Sequence, residues 1–496
     1  MTFVRKDIYA LGTPWNDTLV WYAKGVTALQ KQPINLKASW RYLAAMHGFD
    51  RGLWTRFGYL GASEALPSQA EQQRYWNQCQ HQSWFFLPWH RSYVLCFEAM
   101  VRAAIVAQKG PADWALPYWN YSATATDELK IHPAFLAKSL PDGTKNPLYV
   151  EARLGKAVQA GDADLSGRLD DPEFQGSDDG SGEGVGGPRT LFSHSGSAEG
   201  LIEAKPHDLV HVDVGGRGGL MSDPRTAALD PIFWVHHANI DRLWEVWRQR
   251  NPADKNPSDP QWLNGPADRA FATFGADGKD VPSAPKDVVD TAALGYKYDD
   301  VSDPLGGRTR RDLRMAALAA KAPREPAAVG AVTRGSKVEI LGSSAAGARL
   351  GAAAVTLQVK LASDPAARVH QSFAAGQSAA AAEPDRVFLN LEDIRGDNGA
   401  AVFDVYVGEK GATEASAQNH VGAFSLFGLE SASDRAAPHG GRGLKKVIEI
   451  TRVIDQFQQS GKKLPGVLEV RIVPRGDVRD DDHISVGQAT LVRRGH

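Results

Sequence analysis

The sequence predicts a mainly helical first domain followed by an all-β second one, and three observations carry that expectation. All 13 tryptophans of the 496-residue chain lie at or before Trp262. Aromatic side chains dominate a core wherever they occur, so the two halves must be packed by different means. In the first half apolar residues recur at helical spacing, as in Val94–Val101 and Ile240–Trp247. From about Ser336 the pattern changes to period-two alternation, in Lys337–Leu341, Val355–Lys360, Arg386–Leu391, Val402–Val407, Val467–Val473 and Ala489–Arg493. Short strands parted by Gly, Asp and Asn turns predict an antiparallel, sandwich-like domain.

Each part follows in order. Residues 1–300 make the first domain, which Tyr296-Lys-Tyr298 closes. Within it residues 160–200 are rich in Gly, Asp and Ser, and Gly176–Arg189 reads as an exposed loop. Residues 301–330, rich in Arg and Ala with Pro323 and Pro326, read as a linker. The same residue types also favour a short helix there. Residues 331–496 form the β-domain, with an Ala-rich loop at 373–382. One helix interrupts its strands, with apolar positions Val447, Ile450, Val453, Ile454 and Phe457.

Composition narrows the function classes. With 56 Lys and Arg against 58 Asp and Glu, the net charge of -2 offers no basic field for nucleic acid or a membrane surface. No run of about 18 apolar residues exists to span a bilayer. The start, Met1-Thr-Phe-Val-Arg, lacks the features of a signal peptide. Two cysteines, Cys79 and Cys96, fit a reducing compartment. The expectation is a cytoplasmic protein with neither nucleic-acid nor membrane partners.

The histidines carry the chemistry. His207 and His211 are four apart, so their rings share one face of a helix. Such a pair is more often solvated or packed than ligating when it stands alone. The zinc-protease pattern needs Glu after the first histidine, where this chain has Asp208. Adjacent His236 and His237 differ by about 100° in helical direction, so one of them points at a shared metal. His81 and His90 flank Pro88, which suits the first turn of a helix starting there and places His81 before it. His47 ends a helical stretch that Gly48 stops, and it enters the set because a three-ligand site otherwise lacks a member. Arg91 and Glu98 read as a structural ion pair. Six neutral imidazoles suit copper in both oxidation states and leave the redox change to the metal.

The stretch His81-x4-Phe86-x2-Trp89-His90-Arg91 with Glu98, and the stretch Asp230-Pro-x-Phe233-x3-His237-x3-Asp241, match at every fixed position the two copper signatures of the type-3 copper family. The chain therefore resembles tyrosinases, catechol oxidases and molluscan-type haemocyanins. The resemblance implies a four-helix bundle holding two copper ions on His47, His81, His90, His207, His211 and His237, the last chosen over His236 on this ground. Cys79, two before His81, stands where fungal and molluscan members form a thioether to that histidine; the alternative is a buried free thiol. Glu203 matches an acidic residue that holds a water near the coppers in plant-type members. Asp208 stands where hydroxylating members carry Asn or Asp, and Val212 is the corresponding residue after His211. Pro224 occupies the place of a bulky gate in many members. Arg5 resembles an N-terminal arginine stacked on the tyrosine motif Tyr296-x-Tyr298.

In the second half, Phe403-Asp-Val-Tyr-Val, Gly422-Ala-Phe424, Val467–Pro474 and Ile484-Ser-Val-Gly are similar to strings of the plant polyphenol oxidase C-terminal domain. That likeness implies a lid over the copper site, a fused stabilising domain being the alternative. The plant enzymes' disulfide-bearing N-terminal segment has no counterpart here. Together the resemblance implies a tyrosinase: with O2, monophenols such as tyrosine are hydroxylated ortho and o-diphenols are oxidised to o-quinones. A water held by Glu203 and Asp208 would act as general base. A catechol oxidase or o-aminophenol oxidase would share all six ligands. A haemocyanin-like oxygen carrier would normally be a large assembly of repeated units, unlike this single copy.

Overall fold

Buried aromatics organise the first domain of the computed structural model, which describes residues 2–122, 126–250, 252–304, 306–320, 338–376, 383–411, 415–437 and 439–495. Five of its helices, joined by shorter ones, position the site: α1 (Asp17–Gln30), α2 (Trp40–His47), α3 (Phe86–Ala107), α4 (Asp208–Gly215) and α5 (Ile232–Arg250). Asn16 and Ser39 cap α1 and α2 by accepting backbone N–H groups with their side chains. α3 begins two residues before Pro88 rather than at it. The proline still lies in the first turn, where its missing N–H leaves no intrahelical bond unmade. α1 packs on α3, and α3 on α5. At the second contact Phe97 and Trp234 stack face to face with centroids 3.6 Å apart. Among the described residues no helix is long and apolar enough to cross a membrane.

The start and end of this domain are joined. Strand β1 (Phe3–Arg5) runs parallel to β2 (Tyr296–Tyr298) in register. Arg5 lies 4.0 Å over the Tyr296 ring and donates to Glu98 (2.8 Å) and Asp241 (3.0 Å). Arg91 donates to Asp241 and sits 3.9 Å over Trp244. The expected Arg91–Glu98 pair is therefore not formed. The two side chains are seven residues apart on α3, and each meets a partner from another element instead.

Beside a two-stranded ribbon of Ala348–Arg349 and Ser485–Val486, the β-domain holds one antiparallel sheet of eight strands rather than two packed sheets of similar size. Its strands are β3 (Val338–Ser344), β4 (Val355–Leu361), β5 (Arg386–Ile394), β6 (Val402–Glu409), β7 (His420–Ser425), β8 (Leu444–Glu449), β9 (Val467–Arg475) and β10 (Gln488–Arg494). They lie in the order β7-β6-β9-β4-β3-β10-β5-β8. The sheet curls until its edges approach, and a Cβ on Gly422 of β7 would stand 3.8 Å from Ile448 of β8. Helix α6 (Arg310–Ala319) falls within the expected linker, and residues 321–337 lie outside the described ones. Helix α7 (Ser363–Gly376) takes the first residues of the expected Ala-rich loop, as alanine's helix propensity favours; 377–382 lie outside the described residues. Helix α8 (Thr451–Gln459) carries Val453 and Ile454, but Val447 belongs to β8. Each domain has its own apolar core, one running from Ile8 to Tyr298 and the other from Leu341 to Leu491.

Glycines 180–187 are not the exposed loop that their composition suggests. They are buried beneath the β-domain, where Gly180 abuts Asn390 and Gly182 abuts Arg494. A Cβ at Gly186 would meet the Phe174 ring at 2.2 Å, so glycine permits the close packing that composition alone reads as looseness.

Ion pairs fasten the two domains, and residues of both line a cavity of about 880 Å³. Arg475 pairs with Asp162 (2.7 Å), Arg494 with Glu173 (2.8 Å), and Arg217 with Asp482 through two hydrogen bonds (2.9 and 2.5 Å). Burial raises the Asp482 pKa, but hydrogen bonds from Arg217, the Arg479 N–H and Asn398 outweigh it and bring it down to about 2. A depressed carboxylate contributes stability in full above its ordinary value, about 4, and loses it as pH falls through the folded value. Asp482→Asn therefore lowers the calorimetric unfolding temperature most above pH about 4, and variant and parent converge by pH about 2. A constant difference across that range would refute the assignment.

Candidate metal centre

Helices α2, α3 and α4 each deliver a histidine with one ring nitrogen already committed. His47, the last residue of α2, donates from Nδ1 to the Pro224 carbonyl (2.7 Å). His90, in the second turn of α3, donates to its own helix at Phe86 O (2.8 Å). His211 on α4 donates to Met221 O (2.8 Å). A carbonyl only accepts, so these three rings carry their proton on Nδ1 and present a lone pair at Nε2. His207, at the N-terminus of α4, has Nδ1 2.9 Å from the Asp208 carboxylate, which orients it in the same sense. His81 stands in the loop before α3, with its backbone carbonyl 2.6 Å from the His194 ring.

The Nε2 atoms of His47 and His207 are buried without any partner. The Nε2 atoms of His211 and His237 face each other at 3.3 Å. Burial lowers the pKa of every one of these imidazoles, that of His47 to about 4. Uncharged rings with unfilled nitrogens converging on a point are what a soft-to-borderline cation requires. Two such groups exist among the described residues: His47, Cys79, His81 and His90 form one, and His207, His211, His236 and His237 the other, with the ligand atoms of each lying within 4.8 Å of one another. The His90 and His237 rings stack at 4.4 Å, which makes the groups neighbours.

Both His236 and His237 therefore reach the second group, although helical direction alone admits one. They differ in what else they touch. His236 Nδ1 lies 3.0 Å from the Tyr121 hydroxyl, whereas His237 Nδ1 has no partner. Cys79 Sγ lies 3.5–3.6 Å from the two ring nitrogens of His81 and 3.4 Å from His90 Nε2. It is a buried thiol whose pKa burial drives up.

Carboxylates rim the other side of a cavity of about 110 Å³ that opens onto His47 and His81. Glu203 accepts the Gln82 N–H at Oε1 (2.7 Å), while its buried Oε2 has no partner. Burial, then Asp208 and Glu199, raise its pKa well above the ordinary carboxylate value. Pro224 lines the same cavity and also supplies the carbonyl that orients His47. Val212 packs with Leu209 against Val402 and Phe427.

The β-domain adds to this side of the site residues that nothing in the sequence singles out. Phe427 stacks on the His211 ring at 4.3 Å and presents its edge to His81 (5.4 Å) and His207 (5.7 Å). Lys446 on β8 reaches between Glu199 and Asp208, lying 3.4 Å from the latter. A lone Phe in a turn or a lone Lys on a strand carries no sequence signal of its own; only the fold brings these two to the histidines. From the first domain, Phe233 fills the space between His237 (4.1 Å), His47 (5.0 Å) and His211 (5.8 Å).

Comparison with known proteins agrees with the geometry. The family description "Common central domain of tyrosinase" matches residues 37–250, and a "Domain of unknown function (DUF7868)" matches residues 337–494. Tyrosinase HcTyr1 of Hahella sp. (strain CCB-MM4) is 32% identical over 497 residues, covering 98% of each chain. A chloroplastic polyphenol oxidase of Malus domestica is 26% identical over 432 residues, covering 82% of this chain and 65% of that one. Among solved structures, a latent aurone synthase (polyphenol oxidase) superposes with TM-score 0.61 at 18% identity, covering 100% of this chain and 90% of that one. Latent apple tyrosinase superposes with TM-score 0.59 at 20% identity, covering 99% and 97%. At these identities the superpositions establish the fold.

Proposed function

Because the chain belongs to the tyrosinase family of type-3 copper proteins, whose members hold two copper ions, we propose that it is a tyrosinase, using O2 to hydroxylate monophenols ortho and to oxidise o-diphenols to o-quinones. In this reading His47, His81 and His90 hold one ion and His207, His211 and His237 the other, within a four-helix bundle of α2–α5. One observation supports it most: two adjacent sets of uncharged imidazoles, all buried but the half-buried His81, with ring nitrogens converging on unfilled space. When bound, the two ions supply the redox change and the template for O2 and substrate.

The rest falls to the chain. Phe233 and the buried walls keep bulk water from the rings. The hydroxyl proton of a phenol, pKa about 10, must leave before its oxygen can bind a cation. Glu203 Oε2 faces the cavity unpartnered, and its raised proton affinity suits it to take that proton directly or through a water. Asp208 keeps His207 oriented with one oxygen while Lys446 occupies the other. Cys79 is close enough to His81 for the thioether seen in some relatives, which would anchor that loop-borne ring.

Metal analysis of the purified chain, with parallel assays on tyrosine and its diphenol, tests this directly. Two coppers per chain and turnover of both substrates are expected. Diphenol turnover alone would replace tyrosinase with catechol oxidase. Glu203→Gln is expected to cut monophenol turnover about 10²-fold relative to diphenol turnover, the usual scale for general acid–base catalysis.

The β-domain acts in this reading as a lid with Phe427 as its plug, since the ring lies on His211 where a substrate must approach. Phe427→Ala raises diphenol turnover of the intact chain by about tenfold or more, because weakening the closed state by even ~1.4 kcal/mol multiplies the open population tenfold. Unchanged turnover with unchanged copper content would leave the β-domain a stabilising fusion.

A further inference from the structure

The closed form brings two side chains of the β-domain to the small cavity: Phe427 lines it, and Lys446 pairs with two carboxylates that line it. An aromatic ring, Phe427, lies on the imidazoles, and an ammonium, that of Lys446, lies between Glu199 and Asp208. The two are linked through a short path. The Phe427 ring is 5.7 Å from the His207 ring, His207 Nδ1 is 2.9 Å from Asp208 Oδ1, and Asp208 Oδ2 is 3.4 Å from Lys446 Nζ. Glu199, Glu203, Asp208 and Phe427 all line one cavity. The Lys446 side chain is 3% exposed and its carboxylate partners 4% and 2%. A third carboxylate, Glu203, is 1% exposed with Oε2 unpartnered. Arg225, which lines the cavity, is already taken by Asp223 and Glu430.

We propose that the lid imitates the substrate: Phe427 stands where the phenol ring binds and Lys446 where a protonated amine on its side chain binds, so that the site prefers phenols bearing an ammonium group, held by Glu199 and Asp208. The inference rests on the phenol-oxidising reading above and deepens it. Its physical ground is the cost of buried charge. When the lid yields to substrate, Lys446 leaves with it, and carboxylates that had a buried partner lose it. A substrate ammonium restores the pairing with charge-assisted hydrogen bonds. A substrate carboxylate is repelled by the same groups, and a neutral side chain leaves them unpaired.

The test uses the intact, copper-loaded chain, with Phe427→Ala clearing the ring position and Lys446→Met clearing the ammonium position. The probes are tyramine (cationic), p-cresol (neutral) and 3-(4-hydroxyphenyl)propionate (anionic). In the double variant kcat/KM for tyramine is expected to exceed that for p-cresol by about tenfold or more, the scale of one charge-assisted hydrogen bond, and that for the propionate by still more. In Phe427→Ala alone, where Lys446 still fills the carboxylates, the preference is expected to shrink. Adding Glu199→Gln to the double variant should lower the tyramine-to-cresol ratio about tenfold. Binding offers a readout apart from turnover: phenethylamine, which has ring and ammonium but no hydroxyl, should bind the double variant by calorimetry more tightly than 3-phenylpropionate does. Equal or reversed ratios, or a ratio indifferent to Glu199→Gln, would overturn the proposal while p-cresol turnover leaves the oxidase reading standing. Absence of turnover of every phenol and catechol by chains holding two coppers would sink the oxidase reading, and the phenethylamine comparison would still decide this one.

Discussion

Replacing His237 by alanine lowers the copper content of the intact chain from two ions to one and its phenol-oxidising turnover by about 10³-fold or more, the scale on which removing a member of a concerted catalytic set acts. His236→Ala keeps both ions and stays within about tenfold of the parent, as loss of an outer partner does. The two histidines are neighbours on α5 and both approach His207 and His211, so proximity does not separate them. Their second nitrogens do. The Nε2 atoms of His237 and His211 stand 3.3 Å apart, and the Met221 carbonyl fixes the lone pair of the latter at that atom. A cation shared between them accounts for two ring nitrogens buried face to face. His236 Nδ1 is already held 3.0 Å from the Tyr121 hydroxyl, and when that hydroxyl donates, the ring proton sits on Nε2 and no lone pair faces the group. Burial lowers the His236 pKa to about 3, so the ring stays neutral in either arrangement. Metal analysis of both variants decides the matter, and a one-copper His236→Ala protein would reverse the assignment.

The contrast between these rings also marks how far the sequence is readable. The histidine stretches are legible because side chains able to hold a metal recur there at helical spacings, and those spacings survive in one dimension. The six strands with clean alternation, such as Val402–Val407, are legible for the same reason. β7 and β8 are not. His420-Val-Gly-Ala-Phe-Ser mixes its faces at a sheet edge. The apolar residues of Leu444–Glu449 run on into α8, so a helical period spans a strand and a helix together. The buried glycines at 180–187 read as solvated because glycine reports permissiveness and not exposure. Phe427, Lys446 and Glu199 are illegible for a deeper reason. Their meaning lies in a contact between domains more than 200 residues apart, and no local pattern records which face of the curled sheet is turned toward the histidines.

Asp241→Ala is expected to destabilise the first domain by about 3–5 kcal/mol, the cost of removing one partner from a buried charge network. This carboxylate lies one turn beyond His237 on α5 and is the hub on which both ends of the domain meet. Its Oδ2 accepts from Arg5 (3.0 Å), Tyr296 (2.6 Å) and Tyr298 (2.5 Å), and its Oδ1 from Arg91. Arg5 and Arg91 have side chains 0% exposed, and that of Asp241 is 2% exposed. Burial alone would raise the Asp241 pKa, yet Arg91 and Arg5, joined by the two tyrosines, hold it below the ordinary carboxylate range. Truncation leaves two guanidinium groups in the core with Glu98 and Glu245 as their remaining acidic partners. It also leaves two tyrosine hydroxyls without their acceptor, although Tyr298 keeps the Ala238 carbonyl at 2.8 Å. For a domain of this size the loss corresponds to roughly 10 °C in unfolding temperature, read by calorimetry. Asp241→Asn keeps the shape and one acceptor oxygen, and should fall between the alanine variant and the parent. Because the hub fixes the turn of α5 that follows His237, copper affinity should fall alongside stability in the same order. An alanine variant that unfolds at the parent temperature would mean that water fills the gap and that the arginines, tyrosines and strands β1 and β2 hold together without their carboxylate.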